Sequence, residues 1–123
     1  MITGQVTTGR LAQIRLMVLD GTGQGHEVEA LVDTGFDGAL TLPPELISTL
    51  GLVWRRRGRA LLADGRESVF DIYEATIIWD GQPHRAAVDA ANTDPLVGMA
   101  LLEGYELTVQ VRAGGTVTIT QLP

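Results

Sequence analysis

The chain of 123 residues has no cysteine, which excludes disulfides, thiolate nucleophiles and cysteine-ligated zinc together. Positive charge is scarce: 9 Lys and Arg stand against 15 Asp and Glu, for a formal net charge of -6. Generic affinity for nucleic acid or an anionic membrane needs a positive surface, so no nucleic-acid or membrane partner is expected. The one basic run, Arg55, Arg56 and Arg57 with Arg59, reads as a solvated strand or loop face. No apolar stretch is long enough to cross a bilayer. The opening MITGQVTTGRLAQ lacks the charged start, apolar centre and small-residue cleavage site of an export leader, so a cytoplasmic location is expected. The two histidines, His26 and His84, have no ligand spacing between them, and Ser48 and Ser68 lie in no nucleophile motif. Neither a metal nor another cofactor is expected, and there is no low-complexity segment or solenoid-length repeat.

What is present is enough apolar sequence for a core, 45% of residues, in a length suited to a single domain over 1–123. Val, Ile, Leu and Thr dominate, 15 glycines punctuate them, and turn signals recur at short intervals. That pattern predicts an all-β protein. Residues 13–19 (QIRLMVL) and 26–32 (HEVEALV) read as a hairpin about the turn 20–25 (DGTGQG). The glycines of that turn superficially match a phosphate loop, but no Lys-Ser/Thr follows them and the chain continues into a strand. Pro43 and Pro44, then Leu46, Ile47 and Leu50 at helical spacing with Gly51 beyond, predict a short helix. Residues 59–63 and 67–78 flank Asp64-Gly65 as a second, long hairpin. Asp80-Gly81 turns into a strand at 84–89, a polar loop at 90–95 leads to Leu96-Val97-Gly98, and 99–103 reads as a second short helix. Alternating Leu107, Val109 and Val111, then Gly114-Gly115, then Val117 and Ile119 predict a terminal hairpin.

One residue is out of place in this pattern. Asp33 ends an apolar strand in EALVDTGFDGALTLP, and an unpaired carboxylate is costly to bury. It is either an Asx-type turn residue capping local amides or a functional group held out by the loop. Gly35 permits a tight turn after it, and the Thr34 hydroxyl can lock the loop by hydrogen bonding.

Leu31-Val32-Asp33-Thr34-Gly35 resembles, position by position, the active-site loop of the retropepsin-like aspartic proteases. The likeness extends in order through the Asp64-Gly65 hairpin, in the place of that family's flap, to Leu96-Val97-Gly98, in the place of its second hydrophobic-hydrophobic-Gly element. It covers residues from about 11 onward, and the wording DTGFDGALTLP is similar to small bacterial members of the clan. The resemblance implies an acid-protease half-barrel with one or two short helices. Asp33 is its catalytic residue, Thr34, Gly35 and Phe36 its active-site loop, Ala63, Asp64, Gly65 and Arg66 its flap, and Leu96, Val97 and Gly98 the support of the loop. Two departures stand out: Phe36 occupies a position where the family has a small Ala or Ser, and the flap lacks a glycine-rich tip.

Peptide hydrolysis by this route needs two carboxylates sharing one proton. None of the other aspartates, Asp37, Asp64, Asp71, Asp80, Asp89 or Asp94, lies in a second Asp-Thr/Ser-Gly string. The second carboxylate is therefore expected from another copy of the chain, in a homodimer with Asp33 from each subunit on the two-fold axis. Two carboxylates that close cannot both ionise, so activity is expected to favour acidic pH. The expected substrate is an extended peptide or protein bound as an added strand under the flap. The alternative from another class is a non-catalytic peptide-binding or dimerisation module of the same fold.

Overall fold

A computed structural model describes all residues 1–123. It contains ten strands and two short helices: β1 (Ile2–Val6), β2 (Ala12–Leu19), β3 (Gly25–Val32), β4 (Leu40–Leu42), α1 (Pro44–Leu50), β5 (Val53–Leu61), β6 (Glu67–Trp79), β7 (Gln82–Ala90), β8 (Leu96–Val97), α2 (Met99–Leu102), β9 (Tyr105–Val109) and β10 (Thr116–Gln121). The strands run in the order β5-β6-β7-β4-β8-β3-β2-β1-β10-β9, and β6 pairs again with β2 through Met17↔Ile78 and Val18↔Ile77. That second pairing bends the middle of the sheet into a ring of β6, β7, β4, β8, β3 and β2. β5 extends from one side of the ring, and β1, β10 and β9 from the other.

Alternation along the strands fills the ring. Ile14, Leu16 and Val18 of β2, Val28 and Ala30 of β3, Ala75 and Ile77 of β6, and Ala86 and Val88 of β7 point inward and are buried. Each large aliphatic side chain among them contributes roughly 1.5–3 kcal/mol of transfer free energy. The helices plug the ends of the ring: α1 inserts Ile47 and Leu50, and α2 inserts Leu101 and Leu102. Helix α1 begins with Pro44, whose missing N–H costs nothing in the first turn. It stops at Gly51, left-handed at φ 63°, where the Gly51 and Leu52 amides donate to the Ser48 and Ile47 carbonyls.

The expected hairpins are present with shifted ends. β1 was not anticipated; it is a five-residue strand wedged between β2 and β10, with Ile2 opposite Ile119. β5 begins six residues before the expected start and takes in the arginine run, whose members bond across to acids on β6. Arg55 pairs with Glu74, Arg57 with Asp71 at 3.7 Å and Arg59 with Glu67 at 3.5 Å. Asp64-Gly65 is not a two-residue turn. Leu62 and Arg66 close a three-residue loop in which Gly65, at φ 85°, takes the left-handed position, because Asp64 is not left-handed as a two-residue turn would need. Asp80-Gly81 is the two-residue case, with φ of 50° and 80°, joining Trp79 to Gln82. In the first hairpin turn Asp20 accepts from the Thr22 hydroxyl, the Thr22 and Gln24 amides and His26 Nε2. These bonds, that of the Thr22 hydroxyl foremost, hold its carboxyl far below the usual range. No helix is long and apolar enough to cross a membrane.

Candidate active site

The loop 33–39 is held from behind by two residues. β8 lies parallel to β3, with Leu31↔Leu96 and Val32↔Val97, and antiparallel to β4, with Leu40↔Val97 and Thr41↔Leu96. The chain therefore leaves β3 at Asp33, passes over β8 and returns on its far side as β4. Backbone bonds tie the loop down: the Asp33 amide donates to the Val97 carbonyl at 2.9 Å, Phe36 to Asp33 at 3.2 Å, Gly98 to Ala39 at 2.9 Å and Met99 to Phe36 at 2.8 Å. The closeness of this packing needs glycine at 98, since a Cβ there would lie 2.2 Å from the Gly38 oxygen and 2.4 Å from the Phe36 ring. Leu96, Val97 and Gly98 thus sit directly behind the Asp33 loop.

Asp33 is half-buried. The Gly35 amide donates to its Oδ1 at 3.0 Å, which fixes the plane of the carboxylate. This is an Asx-turn bond, so the capping and the functional readings of Asp33 share one geometry. Thr34 is exposed and makes no hydrogen bond to its own loop; the loop is locked by backbone bonds instead. It lines a cleft of about 470 Å³ with Met99, Leu102, Tyr105 and Leu107. Phe36 does not swing outward. Its ring folds back over Gly38, where a Cβ would be 2.5 Å from Cζ, and against Gly98.

A second cleft, about 790 Å³, runs between the loop and the β5–β6 hairpin. Gly35, Phe36 and Asp37 form one wall, Leu61, Val69 and Phe70 the opposite one, and Asp89 and Ala90 the end. The hairpin therefore faces the loop as a flap would, but the cleft is walled by its strands. The tip residues Ala63, Asp64, Gly65 and Arg66 do not line it. Arg66 instead folds back on Asp64, Nε to Oδ2 at 2.6 Å. The wall residues Leu61, Val69 and Phe70, and Asp89 at the floor, were not singled out from the sequence. Like Asp33, Asp89 is an acid near the end of a strand, but it follows the inward Ala86 and Val88 on the outward phase, where an acid is ordinary. Burial pushes the Asp89 carboxyl up; Arg56 offsets part of this and Asp37 adds like-charge repulsion. No three His, Cys, Asp or Glu side chains come together as a metal site.

No family sequence profile and no curated protein matches the chain. Among solved structures it is similar to a retropepsin-like aspartic protease from Rickettsia conorii, with a TM-score of 0.60 over 99% of this chain and 91% of that one, at 14% sequence identity. The fold is retropepsin-like. An all-β half-barrel with one or two short helices was expected and ten strands with two short helices are observed; the likeness extends to the N-terminal strand that sequence reading left unassigned.

Proposed function

We propose that this single-domain chain, residues 1–123, is an aspartic endopeptidase that works as a homodimer, with Asp33 of each subunit as one half of the catalytic dyad. The observation that supports this most is the placement of Asp33 on a loop pinned over β8 between β3 and β4, with its carboxylate plane set by the Gly35 amide. A retropepsin-like fold is the expected setting for such a loop.

In this reading Thr34, Gly35 and Phe36 shape the loop and Leu96-Val97-Gly98 support it. The hairpin tipped by Ala63, Asp64, Gly65 and Arg66 is the flap. Oδ1 of Asp33 is engaged by Gly35, leaving Oδ2 for the shared proton and water. One ionised carboxylate takes a proton from the water as its oxygen attacks the peptide carbonyl carbon. The other, protonated, gives its proton to the carbonyl oxygen, producing a tetrahedral diol. The carboxyl that took the water's proton then gives it to the amide nitrogen while the other carboxylate takes a proton from a diol hydroxyl, so the C–N bond breaks, acid and amine leave and the dyad again holds one proton. An extended peptide fits between the loop and the flap strands as an added strand.

The test is cleavage of a mixed peptide library over a range of pH by the wild type and by Asp33→Asn, with the mass of each in solution measured alongside. Acid-favoured cleavage that falls at least a thousand-fold in a variant of unchanged mass is the expected result. Two folded, inactive proteins that still bind peptides would favour the non-catalytic module instead.

A further inference from the structure

The cleft of about 790 Å³ between the Asp33 loop and the β5–β6 hairpin has apolar walls but a polar end. We infer that this end, where Asp37, Thr41 and Asp89 come together, is a subsite for a basic side chain, so that the chain selects peptides with lysine or arginine at one fixed position from the bond it cuts. The inference rests on the reading of Asp33 as half of a peptidase dyad.

Three elements bring the groups together. Leu40 and Leu42 of β4 are fully buried in the core, so Thr41 between them faces the other way, into the cleft. β4 runs parallel to β7 with Thr41 opposite Asp89. Asp89 in turn leans towards the loop: its Oδ2 lies 3.4 Å from where a Cβ on Gly38 would stand, one residue from Asp37. The two carboxylates feel each other. Burial is the first cause of the raised Asp89 pKa, Arg56 opposes it, and the charge of Asp37 adds to it.

These oxygens are left open where comparable ones are not. The hairpin acids Asp64, Glu67, Asp71 and Glu74 each hold an arginine, whereas Asp37 and Asp89 hold no cation and accept no hydrogen bond. Thr41 is only 4% exposed, yet its hydroxyl bonds to no other group of the protein. A polar group so enclosed ordinarily has a partner. Two arginines lie near without supplying it: Arg59 lines the cleft but bonds to Glu67 at 3.5 Å, and Arg56, in one row of the sheet with Ile72 and Asp89, forms no ion pair with Asp89.

A basic side chain matches the cleft along its length. Its apolar stem lies between Phe36 on the loop and Leu61, Val69 and Phe70 on the hairpin. Its tip carries donors and no acceptor, and the end of the cleft offers two carboxylates and a hydroxyl to receive them. A cation there also favours the ionised form of both acids. Because alternate side chains of an extended peptide face opposite ways, the subsite reads one position rather than a general positive charge.

The probes are short apolar peptides in which a single lysine, arginine or norleucine is walked from one end to the other. Cleavage is measured with the wild type, with Asp89→Asn and Asp37→Asn, and with Glu45→Gln on α1 as a control for the loss of one negative charge. The cut should follow the basic residue at a fixed distance, with kcat/KM about tenfold or more above that of the norleucine peptide, the scale of one charged hydrogen bond. Glu45→Gln should keep that ratio, and the two cleft variants should lose most of it. Cleavage indifferent to the basic residue, or a preference that survives both cleft variants, overturns the subsite and leaves the protease standing. Fluorescence anisotropy of the same peptides on Asp33→Asn reads binding alone. If nothing is cut, but basic peptides bind about tenfold tighter than norleucine ones and adding Asp89→Asn removes the difference, the protease falls and the subsite stands. Neither cleavage nor a difference in binding overturns both.

Discussion

A methyl group on Gly98 would meet the backbone oxygen of Gly38 as well as the ring of Phe36, and backbone cannot rotate away as a side chain can. Gly98→Ala should therefore lower stability by about 1–3 kcal/mol or more, the range for overpacking a tight site, and should displace the Asp33 loop that rests on it. Chemical unfolding of the variant beside the wild type reads the first effect, and loss of cleavage out of proportion to unfolding reads the second. Asp89 presents the opposite case, a residue whose removal should help the fold. Because its folded-state pKa is raised, chiefly by burial, the folded chain holds that proton more tightly than the unfolded chain. Stability then falls as pH rises from the ordinary carboxylate range through the raised value. Asp89→Asn should raise the melting temperature at neutral pH, and the gain should vanish in acid. A variant no more stable at pH 7 than at pH 3, relative to wild type, would show that the burial is not felt. At this scale Asp33 was legible because a carboxylate ending an apolar strand breaks the pattern. Asp89 sits on the outward phase after Ala86 and Val88, so it keeps the alternation, and no local string such as Asp-Thr-Gly marks it out.

Among the elements, those bounded by strong turn chemistry could be read from sequence almost to the residue. Pro44 and Gly51 delimit α1, and Asp80-Gly81 fixes the β6–β7 turn. The errors lie where local preference is weak and a distant partner decides. Arg55, Arg56 and Arg57, read as a solvated strand or loop face, are exposed in β5, where Glu74 and Asp71 of β6 receive two of them; only the start of the strand was missed. Exposed pairs of this kind contribute only about 0.2–1 kcal/mol each. They link β5 to β6 across one register. Gly58, buried between them, leaves the space taken by Phe70 and Ile72. The ring of Phe70 can therefore face the cleft, a relation invisible until the register Gly58↔Phe70 is known. The direction of the Phe36 ring was beyond sequence reading for a similar reason: it depends on the room left by Gly38 and Gly98, neither of them its neighbour in sequence.

For the molecule as a whole, the placement of β1 between β2 and β10 sets an order of events. Ile2 and Ile119 are paired although nearly the whole sequence separates them, and contacts of that span slow folding because the loop must close before any pairing rewards it. Synthesis runs from β1 towards β10, so β1 waits with one edge open until the last strand arrives. Refolding from denaturant should accordingly run on the millisecond-to-second scale of non-local β proteins, and fluorescence of Trp79 against Tyr105 would time it. A microsecond phase that restores the whole signal would contradict this. β10 pairs with β9 as well as with β1, so a change that loosens the β9–β10 hairpin should also free β1, although about a hundred residues of sequence separate the two.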